Sequence, residues 1–224
     1  RKIHSAWAVP GGVRSPLSEE GRTWIRDRLP ESLATIENAL TLFKNLLTEL
    51  KTEVDVFGNF PSLFMSLVGK NGEWEYYGGH IRFTDSHGQI VADNLNEDDY
   101  QQYIGEAVEP WSYLKFPYYK PLGYPDGIYR VGPLARLNIC TQIGSPKADR
   151  ELQEFRDRAG GVALSSFFYH YARLIEILAA IEKIAELIDD PDIRSNHTRA
   201  HAGINCLEGI GVSEAPRGTL FHHY

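Results

Sequence analysis

Apolar residues along this chain recur with two different periods, and the switch between them outlines the fold. Leu33, Ile36, Leu40, Phe43, Leu47, Leu50, Val54 and Phe57 fall three or four apart, with Glu37, Lys44, Glu49 and Glu53 elsewhere on the wheel or at its edges. That spacing predicts a long amphipathic helix ending at Gly58-Asn59-Phe60-Pro61. A shorter helix is expected before it, capped by Ser18 with Glu19 and Glu20 in its first turn, and interrupted at Pro30, which suits the first turn of the next helix. A second long helix is expected from about Val162 to Ile188, with a stripe of Phe167, Tyr171, Leu174, Leu178, Ile181, Ala185 and Ile188, stopped by Asp189-Asp190-Pro191. A short charged helix from Asp149 to Arg158 precedes it, separated by Gly160-Gly161.

Between the helical stretches the period drops to two. Ile81 and Phe83 alternate with Arg82 and Thr84, and Ile90 and Ala92 alternate with Val91 and Asp93, around Asp85-Ser86-His87-Gly88. This predicts a β-hairpin within about 73–93. Asn96 is placed to cap a short helix through Tyr100, Tyr103 and Ile104. Residues 109–135, rich in Pro, Gly, Tyr and Lys, read as long loops too aromatic to be disordered, held on the body or against a partner. The tail from Arg199 to Tyr224 reads as strand and loop. The expected fold is mainly α (α+β): a helical bundle with two long helices side by side and a small antiparallel β element, forming one unit over 1–224.

Composition narrows the function classes. A net charge of -7 over 224 residues, with no Lys/Arg cluster, gives no footprint for nucleic acid. No run of about 18 apolar residues exists to span a membrane. Two distant cysteines, Cys140 and Cys206, without a CxxC, suit a reduced, cytoplasmic protein and argue against a sulfur-ligated metal site within the chain. The start at Arg1 and the apolar-aromatic end at Leu220-Phe221-His222-His223-Tyr224 both look cut from something longer.

Nucleotide-binding glycine loops, a nucleophile elbow and HExxH are absent. Four features remain. His197 and His201 lie four apart and could share a metal if helical, although Arg199 between them and the lack of a third ligand favour a hydrogen-bonding role. His222 and His223 point to opposite faces if extended. Val131-Gly132-Pro133-Leu134-Ala135-Arg136 is a rigid turn delivering one Arg, and Arg173 with Glu176 reads as an ordinary surface pair one helical turn apart. Glu214-Ala215-Pro216-Arg217-Gly218-Thr219-Leu220 joins opposite charges across a stiff kink: Pro216 keeps Ala215 extended, and Gly218 permits close backbone approach. It serves either as a structural corner or as a holder for a neighbouring anionic or metal-centred group.

That last segment, with the histidines after it, resembles the EAPRGxLxH signature of nickel–iron hydrogenase large subunits. His4 with Val9-Pro10-Gly11-Gly12-Val13 resembles an earlier His…GGV signature, and residues 131–136 resemble the GPLAR stretch between them, all in the family's order. Trp7-Ala8-Val9-Pro10 and Ser166-Phe167-Phe168-Tyr169-His170 are most similar to the bidirectional, NAD-linked, cyanobacterial-type enzymes. The resemblance implies a parent that oxidises H2 reversibly at a Ni–Fe centre carrying CO and CN ligands. Electrons would leave through an iron–sulfur small subunit, then diaphorase subunits, toward NAD. It implies four metal-binding cysteines in two CxxC motifs, neither present here, so no cofactor and no activity are expected of this central fragment alone. Glu214 is expected near the centre's outer shell, in a proton or water network, with Pro216, Arg217 and Gly218 fixing its loop and His4, Gly11 and Gly12 packing nearby. Two competitors are the homologous quinone-site subunit of respiratory complex I, in which an acidic residue typically follows Arg-Gly, and a non-catalytic helical interaction module.

Overall fold

The computed structural model describes residues 8–201, 203 and 206–224. His4 and Trp7 therefore lie outside the described residues. The chain opens with two short paired strands, β1 (Ala8–Val9) and β2 (Gly12–Val13). Helix α1 then runs from Glu19 to Glu49, capped by the Ser18 hydroxyl, which accepts the Gly21 N–H at 3.0 Å. The expected interruption at Pro30 does not occur: α1 passes straight through it. Pro30 sits on the solvent side, where water can serve the carbonyl that its missing N–H leaves without a partner. The break falls instead at Leu50, and α2 (Lys51–Val56) follows with Val54 still buried. Phe57 lies past the end of α2 in extended backbone and is 63% exposed, outside the expected stripe.

Strands β3 (Leu63–Val68), β4 (His80–Thr84) and β5 (Ile90–Leu95) follow. A short helix, α3 (Tyr100–Tyr103), leads into the hairpin β6 (Ile104–Val108) and β7 (Lys115–Tyr119), and the brief strand β8 (Tyr129–Arg130) comes next. Part of the expected 109–135 loop is thus strand. Helices α4 (Pro133–Ile139), α5 (Pro146–Ala159) and α6 (Phe168–Leu187) complete the helical side. The hairpin of β9 (Ile210–Ala215) and β10 (Gly218–His223) comes last. Helix α6 is shorter than expected, because residues 162–167 precede it as turns. No helix among the described residues is long and apolar enough to cross a membrane.

The β element is larger than an appendage. β3 lies inside a four-stranded sheet of order β5-β4-β3-β8, antiparallel to β4 and parallel to β8. All six β3 residues are buried, because both faces are covered. Phe64 and Val68 join the helical core with Leu40, Leu134, Phe155, Tyr171 and Ile175. Leu63, Met65 and Leu67 face the other way, into a second core with Ile81, Phe83, Tyr103 and Tyr119, flanked by Val212 and Phe221. The chain is α+β, with the sheet as the wall between two cores rather than a bundle with a small attachment. Helix α1 meets α6 directly and is tied to α5 by Lys44, whose ammonium reaches Glu151 at 3.0 Å and Glu154 at 2.8 Å.

Candidate functional site

The 131–136 and 214–220 segments, some 80 residues apart in sequence, meet through their glycines. Gly132 precedes Pro133 at the start of α4 with φ +83°, and an added Cβ would stand 2.5 Å from the Arg217 carbonyl oxygen. Gly218 faces back: its Cβ would lie 2.4 Å from Val131 Cγ2. Each glycine removes the side chain that would part the two backbones. The Glu214–Leu220 segment is the tight hairpin turn between β9 and β10, pairing Ala215 with Gly218 and Glu214 with Thr219.

This contact brings three buried charges together. Pro133 at the first turn of α4 forfeits no helical hydrogen bond, and the helix that follows lies between α6 and β3 with six of its seven residues buried, Arg136 among them. Arg136 Nε and Nη2 donate to the two Glu176 oxygens at 2.6 and 2.9 Å. Its Nη1 donates to Glu214 Oε2 at 2.6 Å and to the Ala215 carbonyl at 2.9 Å. The other Glu214 oxygen accepts the Leu67 N–H at 2.9 Å and the Thr219 hydroxyl at 2.8 Å. Burial alone would lower the Arg136 pKa, but the hydrogen bonds and charges of both carboxylates outweigh it and hold the guanidinium protonated. Burial raises Glu176 above the usual carboxylate range, with Arg136 opposing the shift. Burial, then the charge of Glu176, raises the neighbouring Tyr76 phenol.

Arg173 and Glu176 are not the expected surface pair. Glu176 turns inward to Arg136, while Arg173 Nη1 donates to the Pro216 carbonyl at 2.9 Å. Two arginines from different helices therefore hold the carbonyls of the turn, and Arg217 itself is exposed. A cleft of about 300 Å³ lined by Tyr76, Tyr77, Arg173, Glu176, Glu214 and Pro216 opens over the cluster. The Arg136–Glu176 partnership went unread in the sequence. The available signal was an acid at 176 on the face that buries Tyr171, Ala172, Ile175 and Ala179.

The other candidates lie elsewhere. Gly11 and Gly12 form a turn on residues 198–200: Ala200 N–H donates to the Gly11 carbonyl at 2.8 Å, and Val13 N–H donates to the Thr198 carbonyl at 2.9 Å. A Cβ on Gly11 would meet the Ala200 oxygen at 2.2 Å, so only glycine fits there. The 197–201 segment is not helical. The one-face i,i+4 placement that sharing a metal would need is therefore not formed by His197 and His201. His223 pairs with Glu208 at 2.6 Å, and His222 stacks on Tyr224.

A nickel–iron centre needs soft thiolate ligands, and the residues present do not supply them. Among the described residues no three His, Cys, Asp or Glu side chains gather at one point. Cys140 ends α4 fully enclosed, where burial pushes its thiol up to about 12, whereas Cys206 is exposed. Alkylation followed by peptide mapping is expected to label Cys206 under native conditions and Cys140 only after denaturation. Equal labelling rates would contradict this burial.

No protein-family model matches the chain. Curated relatives cover all of it. One, from the F420-non-reducing hydrogenase vhu of Methanococcus voltae, is 37% identical, with 53% of its own length matched. Another, the β subunit of the NAD-reducing hydrogenase HoxS of Cupriavidus necator, is 38% identical, with 48% matched. The chain thus spans about half the length of the curated relatives it matches. A crystal structure of an NAD+-reducing [NiFe]-hydrogenase in the H2-reduced state superposes over 99% of this chain and 49% of its own, at TM-score 0.91 and 43% identity. These relatives include both F420-non-reducing and NAD-reducing enzymes, a wider range than the NAD-linked subtype expected from the motifs. Over its whole length the chain is thus similar to about half of a nickel–iron hydrogenase subunit.

Proposed function

We propose that this chain is the central part of the catalytic, large subunit of a nickel–iron hydrogenase whose parent complex oxidises H2 reversibly, with NAD as the electron acceptor, in the cytoplasm. The observation that carries the reading is the buried seat of Glu214 in a hairpin turn clasped by α4 and α6. A carboxylate so enclosed, with every oxygen bonded, is suited to set the field and orientation around a neighbouring buried centre. The 43% identity to the NAD+-reducing enzyme's chain supports the NAD-linked subtype.

In this reading Glu214, Pro216, Arg217 and Gly218 form the outer wall of the centre. The same proposed role extends to Gly11 and Gly12, whose turn rests on residues 198–200 rather than on the Glu214 loop. The thiolates that hold nickel and iron come from parts of the parent other than these 224 residues. The partners are the diaphorase subunits and the iron–sulfur small subunit. Residues 1–224 alone neither bind nickel nor turn over H2.

The test is expression of the parent reading frame with its partner subunits, beside residues 1–224 alone. The parent complex is expected to contain stoichiometric nickel and to reduce both a viologen dye and NAD+ under H2, while the central part does neither. A parent with no nickel and no H2-dependent reduction overturns the family activity. Reduction of the dye but not of NAD+ overturns the subtype.

A further inference from the structure

The contacts around Arg136 have a direction. Its guanidinium carries five N–H donors in one rigid plane. One edge, Nε and Nη2, is filled by the two oxygens of Glu176. That bidentate pairing fixes the plane and leaves Nη1 a single heading, toward Glu214 Oε2 and the Ala215 carbonyl. The arginine side chain has no exposed surface. No solvent is there to replace either bond, so on its buried side the turn takes its position from the plane of the guanidinium, while Arg173 holds the Pro216 carbonyl on the exposed side.

The two carboxylates are not equivalent. Glu214 is filled on both oxygens, by Leu67, Thr219 and Arg136. Among the described residues, Glu176 is bonded by Arg136 alone and keeps a slight opening, its side chain 9% exposed at the cleft. One carboxylate is the object being placed, and the other is the tool that aims the placing group.

We infer that Arg136 is the positioning residue of the Glu214–Gly218 turn and that Glu176 acts through it, by orienting the guanidinium. The role rests on the proposed hydrogenase reading for its effect on turnover, and on the geometry alone for its effect on the turn. Lysine at 136 cannot span the arrangement, because one ammonium would have to serve Glu176, Glu214 and the Ala215 carbonyl at once. Glutamine at 176 keeps the shape but presents an N–H2 to the guanidinium edge. The first change removes the planar donor that Nη1 belongs to, and the second frees Nη1 from its heading.

The experiment compares Arg136→Lys, Glu176→Gln and a core control, Leu178→Ala, in the full-length protein assembled with its partners. Amide exchange at Leu67 and across residues 214–219 is expected to speed up about 10–100-fold in the first two variants, the loss of one charged hydrogen bond, and not in the control. Where Arg136→Lys fails to fold, Glu176→Gln carries the comparison. In a parent that turns over H2, kcat falls by a similar factor while KM for H2 stays unchanged, because the turn's placement changes and substrate access does not. Unchanged exchange at Leu67 and 214–219 overturns the role, as does an equal acceleration by Leu178→Ala. A wild-type parent without H2-dependent turnover defeats the hydrogenase reading, and the exchange comparison still decides the positioning.

Discussion

Replacing Arg136 by leucine is expected to destabilise the protein by about 3–5 kcal/mol, because it strands Glu176 and Glu214 without their shared counter-ion. For a domain of this size that corresponds to a thermal midpoint lower by roughly 6–20 °C. The side chains of Arg136 and Glu214 are wholly enclosed and that of Glu176 is 9% exposed, so water cannot replace the lost bonds without opening the sheet. The penalty belongs to the uncompensated charges rather than to the ion pairs as such. Neutralising the whole group, with Arg136→Met, Glu176→Gln and Glu214→Gln together, is therefore expected to recover most of the loss. Differential scanning of the four proteins (wild type, Arg136→Leu, Glu214→Gln and the triple variant) checks both statements. If Arg136→Leu melts within 2–3 °C of wild type, about 1 kcal/mol, the cluster is not the sealed group described above.

The segments easiest to read were those whose environment is one-sided. The inward stripe of α1 contains Ile36, Leu40 and Leu47, and these are the helix's buried residues, since one face meets α6 and the other meets solvent. The hairpin over 80–95 showed its period of two along part of its length. β3 was invisible to the same method: Leu63-Phe64-Met65-Ser66-Leu67-Val68 does not alternate, because each face of the strand lies in a different core. Pro30 misled for a physical reason, its exposed position inside α1, which no local pattern encodes.

The candidate site divides along the same line. Glu214 and its glycine-flanked turn were singled out by residue type and order, since a carboxylate, a proline and a glycine within five residues restrict the backbone locally. The partners of Glu214 could not be read that way. Arg136 comes from 78 residues away and Leu67 from 147. The spacing of Glu176 to Arg173 fits a common exposed pair, whereas its burial is decided by the packing of α4 between α6 and the sheet. Local pattern reported which residues were unusual, and tertiary packing decided what they touch.

Gly132→Ala is expected to be the most damaging change that leaves every charge in place. Its φ of +83° with ψ of -159° lies in a region essentially confined to glycine, which costs an alanine about 1–3 kcal/mol in backbone strain. The new methyl group would stand 2.5 Å from the Arg217 carbonyl oxygen, a backbone atom that cannot rotate away. Overpacking of this kind adds about 1–3 kcal/mol, so the total is about 2–6 kcal/mol. Relief comes only if the 216–218 turn moves off the start of α4. That movement would lengthen the bond from Arg136 to the Ala215 carbonyl and the bond from Arg173 to the Pro216 carbonyl together. Gly160→Ala is the control without collision: φ +71° with ψ 28° is the milder left-handed helical region, and no atom lies within 4 Å of the added carbon. It therefore reports the cost of a positive φ alone, about 1–2 kcal/mol, as a lower bound for the strain at Gly132. Thermal melts and amide exchange of the two variants separate the terms. A loss at Gly132 clearly greater than at Gly160, with exchange of 214–219 accelerated only in Gly132→Ala, is the expected result. Equal losses and an undisturbed hairpin would mean that the 131–136 and 214–220 segments are neighbours without being interlocked.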